Sequence, residues 1–172
     1  ELERLYCWNN QLTELDVRQN KALENLYCFD NQLTELNVSN NTKLIVLYCN
    51  SNQLTSLDLG NTNVGNAIIV DGITIVEKYG GLRAGGNSYN IEVDSNNQFD
   101  LSTLPGRTLP GHFDVSKAKD WSGGTVSGNI LTVDKGVDKV TYIYDCGTTQ
   151  AGDHDVVFTL NVNPVDSDNP AD

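Results

Sequence analysis

The chain has 172 residues, 23 of them Asp or Glu and 11 Lys or Arg, giving a net charge of −12. A surface of that sign repels phosphate backbones and anionic headgroups, which argues against nucleic acid and membrane surfaces as partners. The length admits one domain or two small ones with a core, and no apolar run approaches the roughly 20 residues of a transmembrane helix.

The chain opens with a 21-residue unit written three times: LERLYCWNNQLTELDVRQNKA from Leu2, LENLYCFDNQLTELNVSNNTK from Leu23 and LIVLYCNSNQLTSLDLGNTNV from Leu44. The shared skeleton is L-x-x-L-Y-C-x-x-N-Q-L-T-x-L, with no insertion or deletion. Identity at a constant period predicts one structural unit stacked on the next. Leu5-Tyr6-Cys7 alternates in, out, in, which is a short strand, and one strand per turn builds a parallel sheet. The return segments show no 3.6-residue pattern, so extended or 3₁₀ structure is expected there. Asn10, Asn31 and Asn52 follow each strand, where an amide ladder can satisfy the backbone groups of an irregular corner. Cys7, Cys28 and Cys49 share one inward slot and read as small buried hydrophobes. A metal cluster or disulfide is the alternative, but the close C-x-x-C pairs common in zinc sites are absent. Neither metal nor cofactor is expected.

These residues match L-x-x-L-x-L/C-x-x-N-x-L, so the first third of the chain resembles the leucine-rich repeat family, in the short bacterial cell-surface form with Cys at the third core position. The resemblance implies a solenoid whose concave strand face binds other macromolecules. The outward positions on that face are Tyr6, Tyr27 and Tyr48 in one column and Trp8, Phe29 and Asn50 in the next. Arg4, Asn25 and Val46 flank them on one side, and Asn9, Asp30 and Ser51 on the other. Two readings of the aromatics stand side by side: anchors for a protein or glycan ligand, or a stack that only stabilises the sheet. Three copies are close to the minimum for a stable stack, so a cap is expected to follow. The uncapped edge at Leu2 leads us to expect that earlier repeats and a presequence precede it.

After Asn63 the pattern changes to short β runs. Ala67–Val70 and Ile73–Val76 flank Asp71-Gly72, a hairpin signal. Residues 80–87 read as a glycine-rich loop, followed by a strand over Tyr89–Val93. Phe99–Leu101 and Phe113–Val115 are short apolar pieces. Thr125-Val126 and Ile130–Val133 bracket a second hairpin turn at Ser127-Gly128-Asn129, and Val140–Tyr144 and Val156–Val162 alternate clearly. Such strands without helix pattern argue for a β-sandwich. FDLSTLPG, WSGGTVSGNILTV, VTYIYDCG and the closing FTLNV resemble the immunoglobulin-like domains that follow repeats in internalin-like bacterial surface proteins. The Cys–Trp–Cys spacing of antibody domains is absent, since Cys146 is the one cysteine of this region.

Candidate chemistry is sparse. Asp166 and Asp168 lack the glycine and glutamate of a calcium loop, and residues 94–100 read as an Asn-rich turn. Cys146 and His154 form the one conceivable nucleophile–base pair, with nothing marking an oxyanion site. Leu104-Pro105-Gly106-Arg107-Thr108 reads as a loop. The expectation is a mainly β protein without regular helices: repeats over 1–64, an immunoglobulin-like antiparallel sandwich over 65–163, and an acidic linker over 164–172. It is expected to be a non-catalytic, extracellular or cell-surface module, with no membrane insertion by this segment. Its binding face consists of Tyr6, Trp8, Tyr27, Phe29, Tyr48, Arg4, Asn25 and Asp30. The alternative is a structural C-terminal cap and spacer of a longer repeat adhesin, with binding done by upstream repeats.

Overall fold

The computed structural model describes residues 1–65, 68–70, 73–75, 81–105 and 113–164, with side chains left aside in 68–70, 73–75 and at Pro164. The turn dipeptide Asp71-Gly72, the end of the 104–108 loop and the tail carrying Asp166 and Asp168 lie outside these residues.

The fold is mainly β, and the helical content of the described residues is two single 3₁₀ turns, Leu101–Thr103 and Val115–Lys117. Strands β1 (Arg4–Tyr6), β2 (Asn25–Tyr27) and β3 (Val46–Tyr48) each contain the outward Tyr of one repeat and the Leu behind it. They pair in parallel with Tyr6 opposite Tyr27 and Tyr27 opposite Tyr48, the one-unit register that the period dictates. The inward leucines and cysteines of the second and third copies are buried, whereas Leu5, Cys7, Leu12 and Leu15 of the first copy are partly buried, having a neighbouring copy on one side.

The sheet does not stop at the third copy. Strand β4 (Ile68–Val70) forms an antiparallel pair with β5 (Ile73–Ile75), as the hairpin signal predicts. Strand β6 (Leu82–Arg83) then joins the repeat sheet beside β3, with Leu82 opposite Leu47 and Arg83 opposite Tyr48. The expected loop at 80–87 therefore contains a fourth repeat strand. Leu82 stands at the leucine slot, Ala84 at the cysteine slot and Asn87 at the asparagine slot. The amide ladder confirms the equivalence. Asn31 donates to the carbonyls of Cys7 (2.9 Å) and Cys28 (3.1 Å) and accepts from Leu12 N–H (3.0 Å). Asn52 repeats this with Cys28, Cys49 and Leu33. Asn87 does so with Cys49, Ala84 and Leu54. Each amide thus ties two successive turns together and satisfies corner groups that no strand partner reaches.

The residue before each ladder asparagine has a left-handed backbone: Asn9 (φ 54°), Asp30 (53°), Ser51 (54°) and Gly86 (71°). Asn and Asp tolerate that conformation better than most non-glycine residues, and the fourth copy uses glycine there.

From Asn87 the chain runs straight into β7 (Ser88–Val93). It lies parallel to β13 (Gly152–Pro164), in an otherwise antiparallel sheet of order β7-β13-β12-β9. Strand β12 (Lys139–Thr149) forms the centre with β13, and β9 (Ala118–Ser122) is its other edge. A second sheet pairs β8 (Gln98–Asp100) with β11 (Ile130–Val133), and β11 with β10 (Gly124–Ser127). The expected strand piece at Phe113–Val115 is instead a buried Phe113 followed by a 3₁₀ turn capped by Asp114, whose carboxylate accepts from Ser116 N–H.

Strand β9 was not anticipated. Between Ser122, opposite Thr141, and Lys119, opposite Ile143, β9 carries one residue more than β12, and Asp120 sits at φ 53°. Such a bulge breaks strict alternation. Lys119 pairs outward with Asp155 at 2.6 Å, while Trp121 stacks on buried Tyr142 at 4.5 Å.

Repeats and sandwich share one core cluster, running from Leu57 and Leu59 to Val140, Tyr142 and Phe158. Tyr142 Oη donates to Thr55 O at 2.7 Å, Leu59 N–H to Cys146 O at 2.7 Å, and Thr149 Oγ1 to Val64 O at 3.0 Å. The Thr55 hydroxyl donates to Pro105 O.

Candidate binding face

Period-two alternation sends the residues on either side of each inward cysteine to the open side of the repeat sheet. Parallel in-register pairing then lines identical positions into columns, one per strand. Tyr6 and Tyr27 stack with centroids 4.9 Å apart and planes 9° from parallel, and Trp8 and Phe29 stack at 5.4 Å and 3°. Tyr48 departs from this order. It meets Tyr27 edge-on at 72°, and its ring lies beneath the guanidinium of Arg83, 4.6 Å from the centroid.

Tyr6, Trp8, Tyr27, Phe29 and Tyr48 together line a shallow groove of about 430 Å³, with Asn50 and Arg83 completing the lining. Tyr6 is 58% exposed and Trp8 47%, which puts both among the exposed large hydrophobic side chains of the described residues. Arg83 lay outside the sequence expectation because its strand belongs to the copy hidden behind residues 66–80. The Leu82-x-Ala84-x-x-Asn87 spacing was the signal that could have found it.

The remaining expected face residues fall elsewhere. Arg4 is exposed and Asn25 partly buried, both outside the groove lining. Asp30, like Asn9 and Ser51, occupies the left-handed turn at the end of its strand. Val46, expected on the open face, is fully buried. It sits where the chain departs at Gly65, whose N–H bonds Ile45 O, and returns at Gly81, whose carbonyl accepts from Leu47 N–H.

The thiols follow the buried-hydrophobe reading. All four cysteines are free, and the described residues hold no group of three or more His, Cys, Asp or Glu placed to bind a metal. Burial pushes the Cys28 and Cys146 thiols up to about 12 and raises those of Cys7 and Cys49 as well. Cys146 and His154 do not form a pair: Cys146 Sγ contacts Tyr144 O at 3.6 Å, whereas His154 Nε2 bonds Thr149 Oγ1 at 2.9 Å. The Thr149 hydroxyl already donates to Val64 O, so the imidazole is the donor in that contact.

One experiment reads both reactivity and stability. At neutral pH a maleimide reagent is expected to modify the partly buried Cys7 slowly, and Cys28, Cys49 and Cys146 only after unfolding, because the thiolate is the nucleophile. Thiols that ionise near pH 8.5 unfolded but higher when folded contribute stability below about pH 8.5, which declines as pH rises towards the folded values. Urea midpoints should therefore fall between pH 8 and pH 10. Rapid native labelling of Cys146 contradicts this assignment.

No family model and no curated protein matches the chain. Among solved structures it is similar to the functional domain of InlJ from Listeria monocytogenes, described as including a cysteine ladder, with a TM-score of 0.56 and 23% identity. The match covers 94% of this chain and 34% of that one, so this chain spans about a third of that chain's length. The likeness shows an internalin-like leucine-rich repeat fold.

Proposed function

We propose that the chain is a non-catalytic binding module of a bacterial surface or secreted protein, contacting protein or glycan through the open face of its repeat sheet. The observation that carries this reading is the pair of exposed aromatic columns lining one groove. Aromatic rings supply large contact area at low entropic cost and dominate interface energetics. The fold shared with the InlJ functional domain supports a surface or secreted setting. In this reading residues 1–64 with the added strand Leu82–Arg83 form the array, and the region up to 163 forms an immunoglobulin-like sandwich.

Stacking alone accounts for about 0.5–1.5 kcal/mol per aromatic pair. The combined variant Tyr27→Ala, Phe29→Ala is therefore expected to lower the melting temperature by a few degrees while abolishing retention on a printed array of extracellular proteins and oligosaccharides. Retained binding with only a drop in stability overturns the binding reading.

A second reading treats the whole chain as the C-terminal cap and spacer of a longer repeat adhesin, with binding done by upstream repeats. The bonds from Tyr142 to Thr55 and from Leu59 to Cys146 favour it, since they seal the third repeat against the sandwich.

A further inference from the structure

We infer that the open edge of β1 pairs with β1 of a second copy of this chain, antiparallel about a two-fold axis at Leu5, so that two repeat sheets run on as one. The pairing is independent of what the open face binds. A further repeat stacked on β1 would take the same edge, so the inference concerns the chain of 172 residues.

Strand β1 is the end strand of the sheet order β1-β2-β3-β6. Backbone groups of successive residues in a sheet point to opposite neighbours. Glu3 O, Cys7 N–H and Asn9 N–H all bond the second repeat, so the backbone groups of Arg4 and Tyr6 point to the open edge. One repeat along, Tyr27 O, the counterpart of Tyr6 O, accepts from Cys7 N–H at 2.9 Å. Apolar cover is incomplete at the same end. Leu2, Tyr6 and Trp8 are three of the five exposed large hydrophobic side chains among the described residues. Leu5, Cys7, Leu12 and Leu15 are partly buried, whereas their counterparts Leu26, Cys28, Leu33 and Leu36 are at most 2% exposed.

The edge is self-complementary in one register. A two-fold at Arg4 sets two guanidinium groups side by side, and one at Tyr6 requires Trp8, beyond the end of β1. A two-fold at Leu5 uses the whole strand. Arg4 of each copy then exchanges both backbone bonds with Tyr6 of the other, and Leu5 meets Leu5 at the close spacing of a non-hydrogen-bonded pair. The same cross-strand order already stands at the far end of the sheet, where Arg83 is opposite Tyr48 with its guanidinium 4.6 Å from the ring centroid. Tyr6 stacks on Tyr27 on one side, and Arg4 of the second copy arrives on the other, a cation–π contact. An axis normal to the sheet keeps both aromatic faces on one side, so each copy completes the face of the other.

The test is sedimentation velocity of the 172-residue chain at about 0.3 M salt, where repulsion between two copies of net charge −12 is screened. An edge interface below the standard size predicts a monomer–dimer equilibrium with a dissociation constant on the order of 10–100 µM. Arg4→Pro removes an N–H that points out of the sheet, a substitution that edge strands accommodate. It is expected to weaken the dimer about a hundredfold, with the melting temperature of the dilute monomer unchanged. Arg4→Gln, which keeps the backbone bonds and loses the cation, should weaken it about tenfold and carries the test if the proline variant folds poorly. The register is read by oxidising a mixture of Arg4→Cys and Tyr6→Cys chains. The mixed disulfide should form in preference to either homodimer, since a hydrogen-bonded antiparallel pair holds its Cα atoms about 5.5 Å apart.

A chain that stays monomeric up to about 1 mM overturns the proposal, as does a dimer indifferent to both Arg4 substitutions or an excess of homodimeric disulfide. Array binding by Tyr27→Ala, Phe29→Ala is a separate measurement, so the binding reading stands or falls on its own result.

Discussion

Replacing Asn52 by Ala is expected to lower the unfolding free energy by about 3 kcal/mol or more, since a buried polar group left without its partner costs about 1–3 kcal/mol. Asn52 is buried, donates to Cys28 O and Cys49 O, and accepts from Leu33 N–H. Alanine offers none of these contacts, and the surrounding corners leave little access for water. The exposed rung Asn10 donates to Cys7 O and Trp8 O where water can substitute. Asn10→Ala should therefore cost about 1 kcal/mol or less. Urea denaturation of both variants checks the ratio, and equal losses contradict the argument from burial.

Gly81→Ala is expected to destabilise by about 3 kcal/mol or more, the upper range of overpacking. An added Cβ falls 2.3 Å from Ile45 O and 2.5 Å from Gly65 N, both backbone atoms that cannot rotate aside. The constraint is close approach, not backbone handedness. Four residues along, Gly85→Ala should be nearly neutral, because nothing lies within 4 Å of its added Cβ. Thermal melts of the two substitutions separate local crowding from any general cost of lengthening a side chain in this segment.

What the sequence revealed depended on whether a position obeyed a period. Three repeat strands, their register, the inward cysteines and the first three ladder asparagines follow from one 21-residue interval. Asn87 follows Asn52 by 35 residues, and the tyrosine and cysteine slots of its copy hold Arg83 and Ala84, so both the interval and the lettering fail there. Arg83 was missed for that reason, and with it one wall of the groove. The long strands β12 and β13 were legible from their alternation. Strand β9 was not, because its bulge at Asp120 turns Trp121 inward at a position that strict alternation assigns outward. The aromatic columns could be named from sequence, but not that Tyr48 turns edge-on beneath a guanidinium, which depends on the hidden fourth strand.

The excursion that hides this strand begins at Gly65 and ends at Gly81, and the two glycines abut, Gly65 N–H bonding Ile45 O and Gly81 O accepting from Leu47 N–H, on either side of Val46. A segment anchored at two touching points transmits no length to its surroundings. The seat of β6 is fixed by β3 and the asparagine ladder, so the number of residues between the anchors is uncoupled from the frame. Loop closure cost grows only slowly with length. The Gly65–Gly81 junction therefore works as a port, at which sequence can be exchanged while the register of the array is preserved.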